Sequence, residues 1–182
     1  MPPAQPIRQP ENNKPTPFTP MQKFILLRGH EGAGKTTYAA QLIAQFQHDY
    51  PQAQIVYIDN DQALTDPQGN YRFDFEQFAA AHRQNQARQQ AAFEYGKAHP
   101  QADLLIINAN PNQKRKTCEA MLAAARSHGF STETYRLHHF HPNLHGVSPE
   151  EVAQSYARLN ANPVEGEIHI GKVDEKSTNC YD

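Results

Sequence analysis

Short apolar runs alternate along the chain with longer stretches in which apolar residues recur every three or four positions. Short continuous runs are typical of buried strands, and the three-to-four spacing is typical of helices with one buried face. The pattern predicts strands at residues 23–28, 54–58, 104–107, 132–137 and 167–172, and helices at 36–50, 75–96, 112–128 and 148–160.

Several residues mark where the predicted helices begin and end. Pro51 stops the first helix, and Gly96 and Gly129 stand where the second and third helices end. The segment Ser148-Pro149-Glu150-Glu151 is a capping box with proline at the first helical position, and it starts the fourth helix.

The alternation of strands and helices predicts an α/β fold. Each strand feeds a helix that crosses back over the sheet, which gives a parallel sheet with helices on both faces. Ligands of such sheets bind beyond the carboxyl ends of the strands, so we expect the functional residues at that edge.

The first 20 residues are rich in proline and lack the apolar segment of a secretory signal. We predict a disordered or polyproline-like arm at residues 1–20, one domain at 21–172 and a polar tail at 173–182. A flexible extension is the favoured interpretation of the arm, and a segment that binds a protein partner is the alternative. No stretch is apolar enough to span a membrane, so we expect no membrane contact.

Composition limits the classes of function. The chain has 182 residues, with 17 Lys and Arg against 19 Asp and Glu, which gives a net charge of -2. This balance excludes a strongly basic protein that binds duplex nucleic acid nonspecifically, although it permits a local basic patch. Cys118 and Cys180 fit no metal-ligand spacing and argue against a disulfide scaffold, so a reducing, cytoplasmic setting is expected.

One glycine-rich segment carries the strongest functional signal. Residues Gly29-His30-Glu31-Gly32-Ala33-Gly34-Lys35-Thr36 match the pattern G-x-x-x-x-G-K-[ST], between a buried strand and an amphipathic helix. Glycines let the backbone turn its N–H groups towards an anion, and the helix that follows adds the positive end of its dipole. We therefore predict that this loop and Thr37 bind ATP, with Lys35 at the β- and γ-phosphates and the Thr36 hydroxyl on Mg²⁺.

Two carboxylates follow the second strand, in the segment Asp59-Asn60-Asp61. This position lies across the predicted cleft from the γ-phosphate, where a carboxylate can accept the proton of an attacking hydroxyl. An aspartate there also commonly caps a helix or turn, and spacing alone does not choose between the two roles.

Further segments follow the loop in a characteristic order: Gly69-Asn70-Tyr71-Arg72-Phe73-Asp74, Ala81-His82, Leu105-Ile106-Ile107-Asn108-Ala109-Asn110 and Asn143-Leu144-His145-Gly146-Val147. Over residues 24–159, the chain resembles the polynucleotide-kinase-like branch of P-loop kinases (AAA_33 type), which includes the NEDD4-binding-protein-2-like proteins. The resemblance implies a three-layer fold with five parallel strands and a short lid, ATP with Mg²⁺, and transfer of the γ-phosphate to a hydroxyl. It also implies that Asp61 is the catalytic aspartate.

Two positions depart from the family pattern. Asn108 stands where the family usually has an acidic residue that organises the metal, and an amide supplies no negative charge for Mg²⁺. Pro142 stands where the family's lid usually has an arginine that stabilises the transferred phosphoryl group. Nearby cations that could supply the missing charge are Arg136, His138, His139, His141, His145 and Arg158.

Other polar residues near the predicted cleft have more than one interpretation. For the histidines at 138, 139, 141 and 145, a phosphate-facing or solvated lid is favoured over a zinc site. His82 is interpreted as a satisfied core histidine. Lys114-Arg115-Lys116 lies at the start of a predicted helix, where cations oppose the helix dipole and so do not stabilise the helix. The segment is therefore either a contact for a substrate phosphate or a solvated face. The candidate substrate or lid residues are Asp59, Asn108, Asn110, Arg136, His145 and Arg158.

These features predict an ATP-dependent kinase that phosphorylates a hydroxyl of a polynucleotide, or of a nucleotide- or nucleoside-like small molecule. Its partners would be ATP and this acceptor, with a nucleic-acid end as one possibility. Asn108 and Pro142 keep open a nucleotide-binding regulatory protein with weakened catalysis. The acidic net charge weakly favours a third hypothesis, a zeta-toxin-like kinase that acts on a nucleotide sugar.

Overall fold

The computed structural model of the protein describes residues 19–171. The predicted tail and all but the last two residues of the predicted arm lie outside this range, so both stay predictions. No helix within the range is both long and apolar enough to cross a membrane. The elements are β1 (Gln22–Arg28), α1 (Lys35–Asp49), β2 (Gln54–Ile58), a 3₁₀ helix (Asn60–Leu64), α2 (Phe75–Ala98), β3 (Leu104–Asn108), α3 (Arg115–Ser127), β4 (Ser131–Leu137), α4 (Pro149–Ala161) and β5 (Ile168–Ile170).

The five described strands form one parallel sheet in the order β2-β3-β1-β4-β5. β1 is the central strand, with β3 and β4 as its neighbours. Strands that follow each other in the chain are therefore joined by crossovers, and all their carboxyl ends lie at one edge of the sheet. The predicted parallel sheet is confirmed.

Successive residues of β1 pack on opposite faces of the sheet and build two hydrophobic clusters. Phe24 lies in one cluster with Phe93 of α2 and Leu122 of α3. Ile25 lies in the other cluster with Phe46 of α1. Helices thus cover both faces of the sheet, which confirms the predicted three-layer arrangement.

A buried ion pair fastens the carboxyl end of β1 to the segment before β5. Arg28 is fully buried, and its guanidinium pairs with the carboxylate of Glu167. The same guanidinium donates hydrogen bonds to the backbone carbonyls of Asn112 (2.9 Å) and Asn162 (2.7 Å). Because a carboxylate and carbonyls surround the charge, the interior tolerates it, and the loops before α3 and after α4 are held to β1.

The helix boundaries agree with the sequence pattern to within two residues, except that α3 begins at Arg115 rather than at residue 112. Ser148 and Glu151 form the predicted capping box, and Gly129 follows α3 with a φ angle of 92°, so both predictions are confirmed. The α2 helix continues two residues past Gly96, to Ala98. Position 96 has glycine for a packing reason: a Cβ there would lie 2.4 Å from Cζ of Phe130.

We expect Gly96→Ala to destabilise the protein, although alanine favours a helix over glycine by about 1 kcal/mol. The added Cβ would force the Phe130 ring or α2 to shift, at a cost of about 1–3 kcal/mol. The midpoint of thermal unfolding, followed by circular dichroism, should fall. Gly96→Ala should cost less stability in a Phe130→Leu chain, where the ring is gone, and an equal cost would contradict this account.

Candidate functional site

The glycine-rich loop lies at the carboxyl end of β1, in the centre of the sheet. We call residues 29–36 the P-loop. Gly32 and Gly34 adopt left-handed backbone conformations, with φ angles of 82° and 89°, which glycine alone adopts readily. Gly34 is the N-cap of α1, so the unpaired N–H groups of the first helical turn lie at the loop. This is the geometry of an anion site.

Lys35 folds back along the P-loop. Its Nζ donates hydrogen bonds to the backbone carbonyls of Gly29 (2.8 Å) and His30 (3.0 Å). Burial lowers the pKa of the Lys35 ammonium below its usual value, although the carboxylates of Glu31, Asp59 and Asp61 oppose this change. The ammonium group is therefore held at the loop by carbonyls, with carboxylates around it.

A cavity of about 620 Å³ opens beside the P-loop, within the size range of small-molecule sites. Its lining comes from the P-loop and the start of α1, the segment after β2, the turn after β3, and residues 141–145. We call it the P-loop cavity. The predicted site residues that the structure brings together there are Glu31, Gly32, Ala33, Gly34, Lys35, Thr36, Thr37, Asp59, Asp61 and His145.

Asp59 caps the 3₁₀ helix that follows β2, which is one of the two roles that the sequence left open for it. Its Oδ1 accepts a hydrogen bond from the backbone N–H of Asp61 at 2.9 Å, at the start of the 3₁₀ helix. Its Oδ2 accepts a hydrogen bond from the Tyr57 hydroxyl at 3.2 Å. Burial and this carboxylate raise the pKa of Tyr57, so the phenol stays protonated and continues to donate.

The side chain of Asp61 lies in the P-loop cavity next to a histidine. Its Oδ2 is 3.5 Å from Nδ1 of His145. Burial and the nearby carboxylate of Asp59 raise the pKa of Asp61, whereas His145 and Lys35 oppose the rise. A carboxylate with a raised pKa is a stronger proton acceptor than an ordinary aspartate, and such groups cluster at functional sites.

Two segments that are distant in sequence meet beside Asp61. The ring of His145 stacks on the ring of Tyr71, with centroids 4.1 Å apart and 16° between the planes. Asn143 closes the loop that carries His145 through two hydrogen bonds with the backbone of Val147, at 2.9 and 3.0 Å. These contacts fix the His145 imidazole beside the Asp61 carboxylate.

The side chains of His30 and Arg136 are buried away from the P-loop cavity. The His30 ring is fully buried and stacks on Phe140, with centroids 4.2 Å apart, and burial lowers its pKa to about 4. The buried guanidinium of Arg136 lies 5.0 Å from the centroid of the Tyr156 ring and donates to the Asn160 side chain. His30 therefore contributes its backbone to the P-loop, and Arg136 is not among the residues that line the cavity.

Asn108 and Asn110 belong to a second cavity, of about 690 Å³, between α2 and α3. Asn108 is 4% exposed, at the end of β3. Asn110 accepts a hydrogen bond on Oδ1 from the backbone N–H of Asn60 at 2.9 Å. About half of the residues that line this space are Asn or Gln, so we call it the amide cavity. Sequence reasoning missed it, although the many glutamines of α2 were a visible signal.

Two further residues contact the amide cavity or its rim. His82 is exposed on α2, lines this cavity and shares a 3.0 Å hydrogen bond with the Asn60 side chain, so its interpretation as a core histidine is wrong. Arg158 is exposed on α4, and its Nε donates to Oε1 of Gln113 at 2.9 Å. Gln113 lines the cavity, so Arg158 lies at its edge.

We call residues 138–147 the lid segment. Its histidines have different surroundings. His141 lines the P-loop cavity, and its backbone N–H donates to the carbonyl of Gly32 at 2.8 Å. His138 is buried and bonds to Tyr156 and His169. Within residues 19–171, no group of three or more His, Cys, Asp or Glu side chains is arranged to hold a metal ion.

Comparisons with known proteins found a family model, a curated relative and solved structures that resemble this chain. A family model described as an AAA domain (AAA_33) matches residues 24–145. An uncharacterized protein of Pasteurella multocida (strain Pm70) is 36% identical over 153 residues, which cover 84% of this chain and 85% of that protein. The structure of Chaetomium thermophilum Kti12 in complex with ADP-AlF3 is similar over 84% of this chain and 92% of that chain, with 13% identity and a TM-score of 0.51. For Mycobacterium tuberculosis APS kinase CysC in complex with AMPPNP and APS, the coverage is 87% and 94%, the identity 11% and the TM-score 0.45.

The segment matched by the family model runs from β1 into the lid segment. It therefore contains the P-loop, both aspartates after β2 and the stacked pair of Tyr71 and His145. The similarity to Kti12 extends over most of both chains and shows a shared fold. The chain thus belongs to the AAA_33 family and has the parallel-sheet fold of the P-loop NTPases.

Proposed function

We propose that the protein is an ATP-dependent kinase that transfers the γ-phosphate to a hydroxyl of a polynucleotide, or of a nucleotide- or nucleoside-like small molecule. The observation that carries the proposal is that Lys35, Thr36 and Asp61 line one cavity at the P-loop. A phosphate ligand, a metal ligand and a proton acceptor are the parts that phosphoryl transfer needs in one place. The ADP-AlF3 bound to Kti12 supports a nucleotide as the ligand of this fold.

The P-loop supplies the phosphate site. Its backbone N–H groups and the first turn of α1 attract a triphosphate, and the Lys35 ammonium exchanges loop carbonyls for phosphate oxygens. Thr36 and Asp59 present oxygen atoms in the same cavity, and oxygen is the donor type that Mg²⁺ takes, usually with several waters retained. When bound, Mg²⁺ neutralises charge on the β- and γ-phosphates.

Asp61 acts as the general base. Its carboxylate takes the proton of the acceptor hydroxyl as that oxygen bonds to the γ-phosphorus, and the bond from the γ-phosphorus to the β–γ bridging oxygen breaks, which releases ADP. Asp61 suits this role better than Asp59, because the Asp59 carboxylate is engaged by the Asp61 N–H and the Tyr57 hydroxyl. His145 holds the Asp61 carboxylate through the 3.5 Å contact.

His141 and His145 take over the charge that the family's lid arginine supplies. Apart from Lys35, they are the residues in the described lining of the P-loop cavity that can carry positive charge. Pro142, at the arginine position, lies between them in the same lining. A protonated imidazole donates hydrogen bonds to phosphate oxygens, as an arginine does, but in a smaller range of pH.

A nucleotide-binding protein with weakened catalysis is the alternative, because Asn108 brings no charge to a metal and Pro142 brings none to the phosphoryl group. Calorimetric titration with AMPPNP, beside a transfer assay with ATP and Mg²⁺, separates the two functions. The acceptor panel contains 5′-hydroxyl oligonucleotides, nucleosides and nucleotide sugars, so that a toxin-like specificity is also detected. Binding of AMPPNP, with no release of ADP from ATP in the presence of any acceptor, would establish the alternative.

We expect Lys35→Ala to lower the affinity for AMPPNP at least about tenfold, because charge-assisted hydrogen bonds to phosphate are lost. Transfer from ATP should fall to background. The control is Lys97→Ala, an exposed lysine in the last turn of α2 that lines neither of the two cavities described above. Equal affinities in Lys35→Ala and the control would overturn the phosphate site.

We expect Asp61→Asn to lower the transfer rate by about 10²–10⁴, with AMPPNP still bound. The same variant should unfold at a higher temperature at pH 8. Because the folded protein raises the pKa of Asp61, the ionised carboxylate destabilises the fold above that pKa, and asparagine removes this cost. The gain should shrink as the pH falls through the pKa of Asp61, and a lower unfolding temperature at pH 8 would contradict this prediction.

We expect His145→Gln to move the acidic limb of the pH–rate profile to higher pH. The histidine opposes the raised pKa of Asp61, so its removal raises that pKa further and leaves the base protonated over a wider range. The measurement is the transfer rate against pH, with His99→Gln, on the exposed end of α2, as the control. An unmoved limb would show that His145 does not act on Asp61.

A further inference from the structure

A tyrosine stands behind the two residues that offer oxygen atoms to Mg²⁺ in the P-loop cavity. Tyr57 is the next-to-last residue of β2, and it packs against the hydrophobic cluster on the α1 face of the sheet. Its phenol hydrogen-bonds with the side chains of both Thr36 and Asp59. Those two residues belong to the described lining of the cavity, whereas Tyr57 does not. Tyr57 therefore acts on a ligand in the cavity only through them.

The chemistry of the three groups fixes the direction of both hydrogen bonds. An ionised carboxylate only accepts hydrogen bonds, so the single phenol hydrogen of Tyr57 is donated to Oδ2 of Asp59, at 3.2 Å. The phenol oxygen can then only accept in its contact with Thr36, and the Thr36 hydroxyl supplies that hydrogen. The hydrogens thus run in one direction, from Thr36 through Tyr57 to Asp59.

This direction suits the Thr36 oxygen to a cation. A hydroxyl has one hydrogen and two lone pairs, and a metal ion binds the oxygen through a lone pair. The Thr36 hydrogen is directed at a residue outside the described lining, so it does not occupy the side of the oxygen that faces the cavity. Without the phenol, the hydroxyl can rotate and turn its hydrogen into the cavity, where it repels a cation.

The same chain holds the Asp59 carboxylate. Oδ2 accepts from Tyr57, and Oδ1 accepts from the backbone N–H of Asp61 at 2.9 Å. One hydrogen bond on each oxygen fixes the rotation of the carboxylate, and each oxygen retains the capacity for a further partner. Partners of this kind orient metal ligands in proteins, and their loss weakens metal binding about 10–100-fold.

The backbone of Tyr57 is fixed from two directions. It pairs with Ile107 of β3 in the parallel sheet, and its carbonyl accepts a hydrogen bond from Nη1 of Arg88 on α2 at 2.9 Å. Supporting side chains that stand on strands keep a more precise geometry than those on loops. The phenol thus joins α1 to the segment after β2 from a rigid position.

We propose that Tyr57 is a positioning residue for the Mg²⁺ that accompanies the nucleotide, because its phenol orients the oxygen atoms of Thr36 and Asp59 towards the cation. This inference rests on the proposed function and deepens it, since the metal site then depends on a residue behind the cavity wall. Loss of the phenol oxygen should weaken the contribution of the metal, while the P-loop still holds the phosphates.

The test separates affinity for the nucleotide from affinity for the metal. The full chain is titrated by calorimetry with AMPPNP in saturating Mg²⁺ and again in EDTA, and the ratio of the two affinities measures what the metal contributes. Tyr57→Phe should lower this ratio about tenfold or more and leave the affinity in EDTA unchanged. Equal losses in Mg²⁺ and in EDTA would show a merely structural role and overturn the proposal.

Tyr135→Phe is the matched control. Tyr135 packs against the same hydrophobic cluster, and its phenol also donates to a carboxylate, that of Glu133, at 2.7 Å. Neither residue is in the described lining of the P-loop cavity. This variant loses an equivalent hydrogen bond and should keep the ratio of the unaltered protein. A ratio that falls equally in both variants would contradict the role of Tyr57.

A measurement on the unaltered protein covers the case of a variant that does not fold. Mn²⁺ in place of Mg²⁺, with AMPPNP bound, should broaden the NMR signals of the Tyr57 ring far more than those of Tyr95, which hydrogen-bonds to Gln54 at the opposite end of β2. Equal or absent broadening, or an AMPPNP affinity that Mg²⁺ does not raise, would refute the proposal. A failure of AMPPNP to bind the unaltered protein at all would instead overturn the proposed function, so the two failures are distinguishable.

Discussion

The close approach of two backbones, at Gly32 and at His141, is the constraint on which the site depends. The N–H of His141 donates to the carbonyl of Gly32 at 2.8 Å, and a Cβ at position 32 would lie 2.2 Å from the His141 carbonyl oxygen. Position 32 also needs a φ angle of 82°. Glycine alone meets both demands, so one residue of the P-loop determines where the lid segment lies.

This anchor connects the phosphate site to the proposed base. With His141 held at Gly32, the next few residues of the lid segment line the P-loop cavity before α4 begins at Pro149. Within that short distance His145 reaches Asp61 and stacks on Tyr71. The sheet topology assists, because β1 and β2 end at the same edge, on either side of β3. The contacts of the lid segment and the order of the strands together determine where Asp61 lies relative to the P-loop.

The sequence pattern predicted those features that depend on residues close together in the chain. The strands appeared as apolar runs because they are buried on both faces, and the P-loop appeared because its glycines serve backbone conformation. Arg136 could not be placed in this way, because its partners Tyr156 and Asn160 come from α4. The amide cavity was missed for a similar reason: its hydrogen bonds join residues 19 or 25 positions apart, and no periodicity records such pairs.

The departure at Asn108 has a structural explanation. Its Nδ2 donates to Oε1 of Gln89, and its Oδ1 accepts from the Asn112 side chain and from the backbone N–H of Asn110. A carboxylate has no hydrogen to donate, so an aspartate here would set its negative charge against the oxygen of Gln89 in a buried position. The asparagine is therefore part of the wall of the amide cavity, where its amide satisfies one partner on α2 and two partners on the loop after β3.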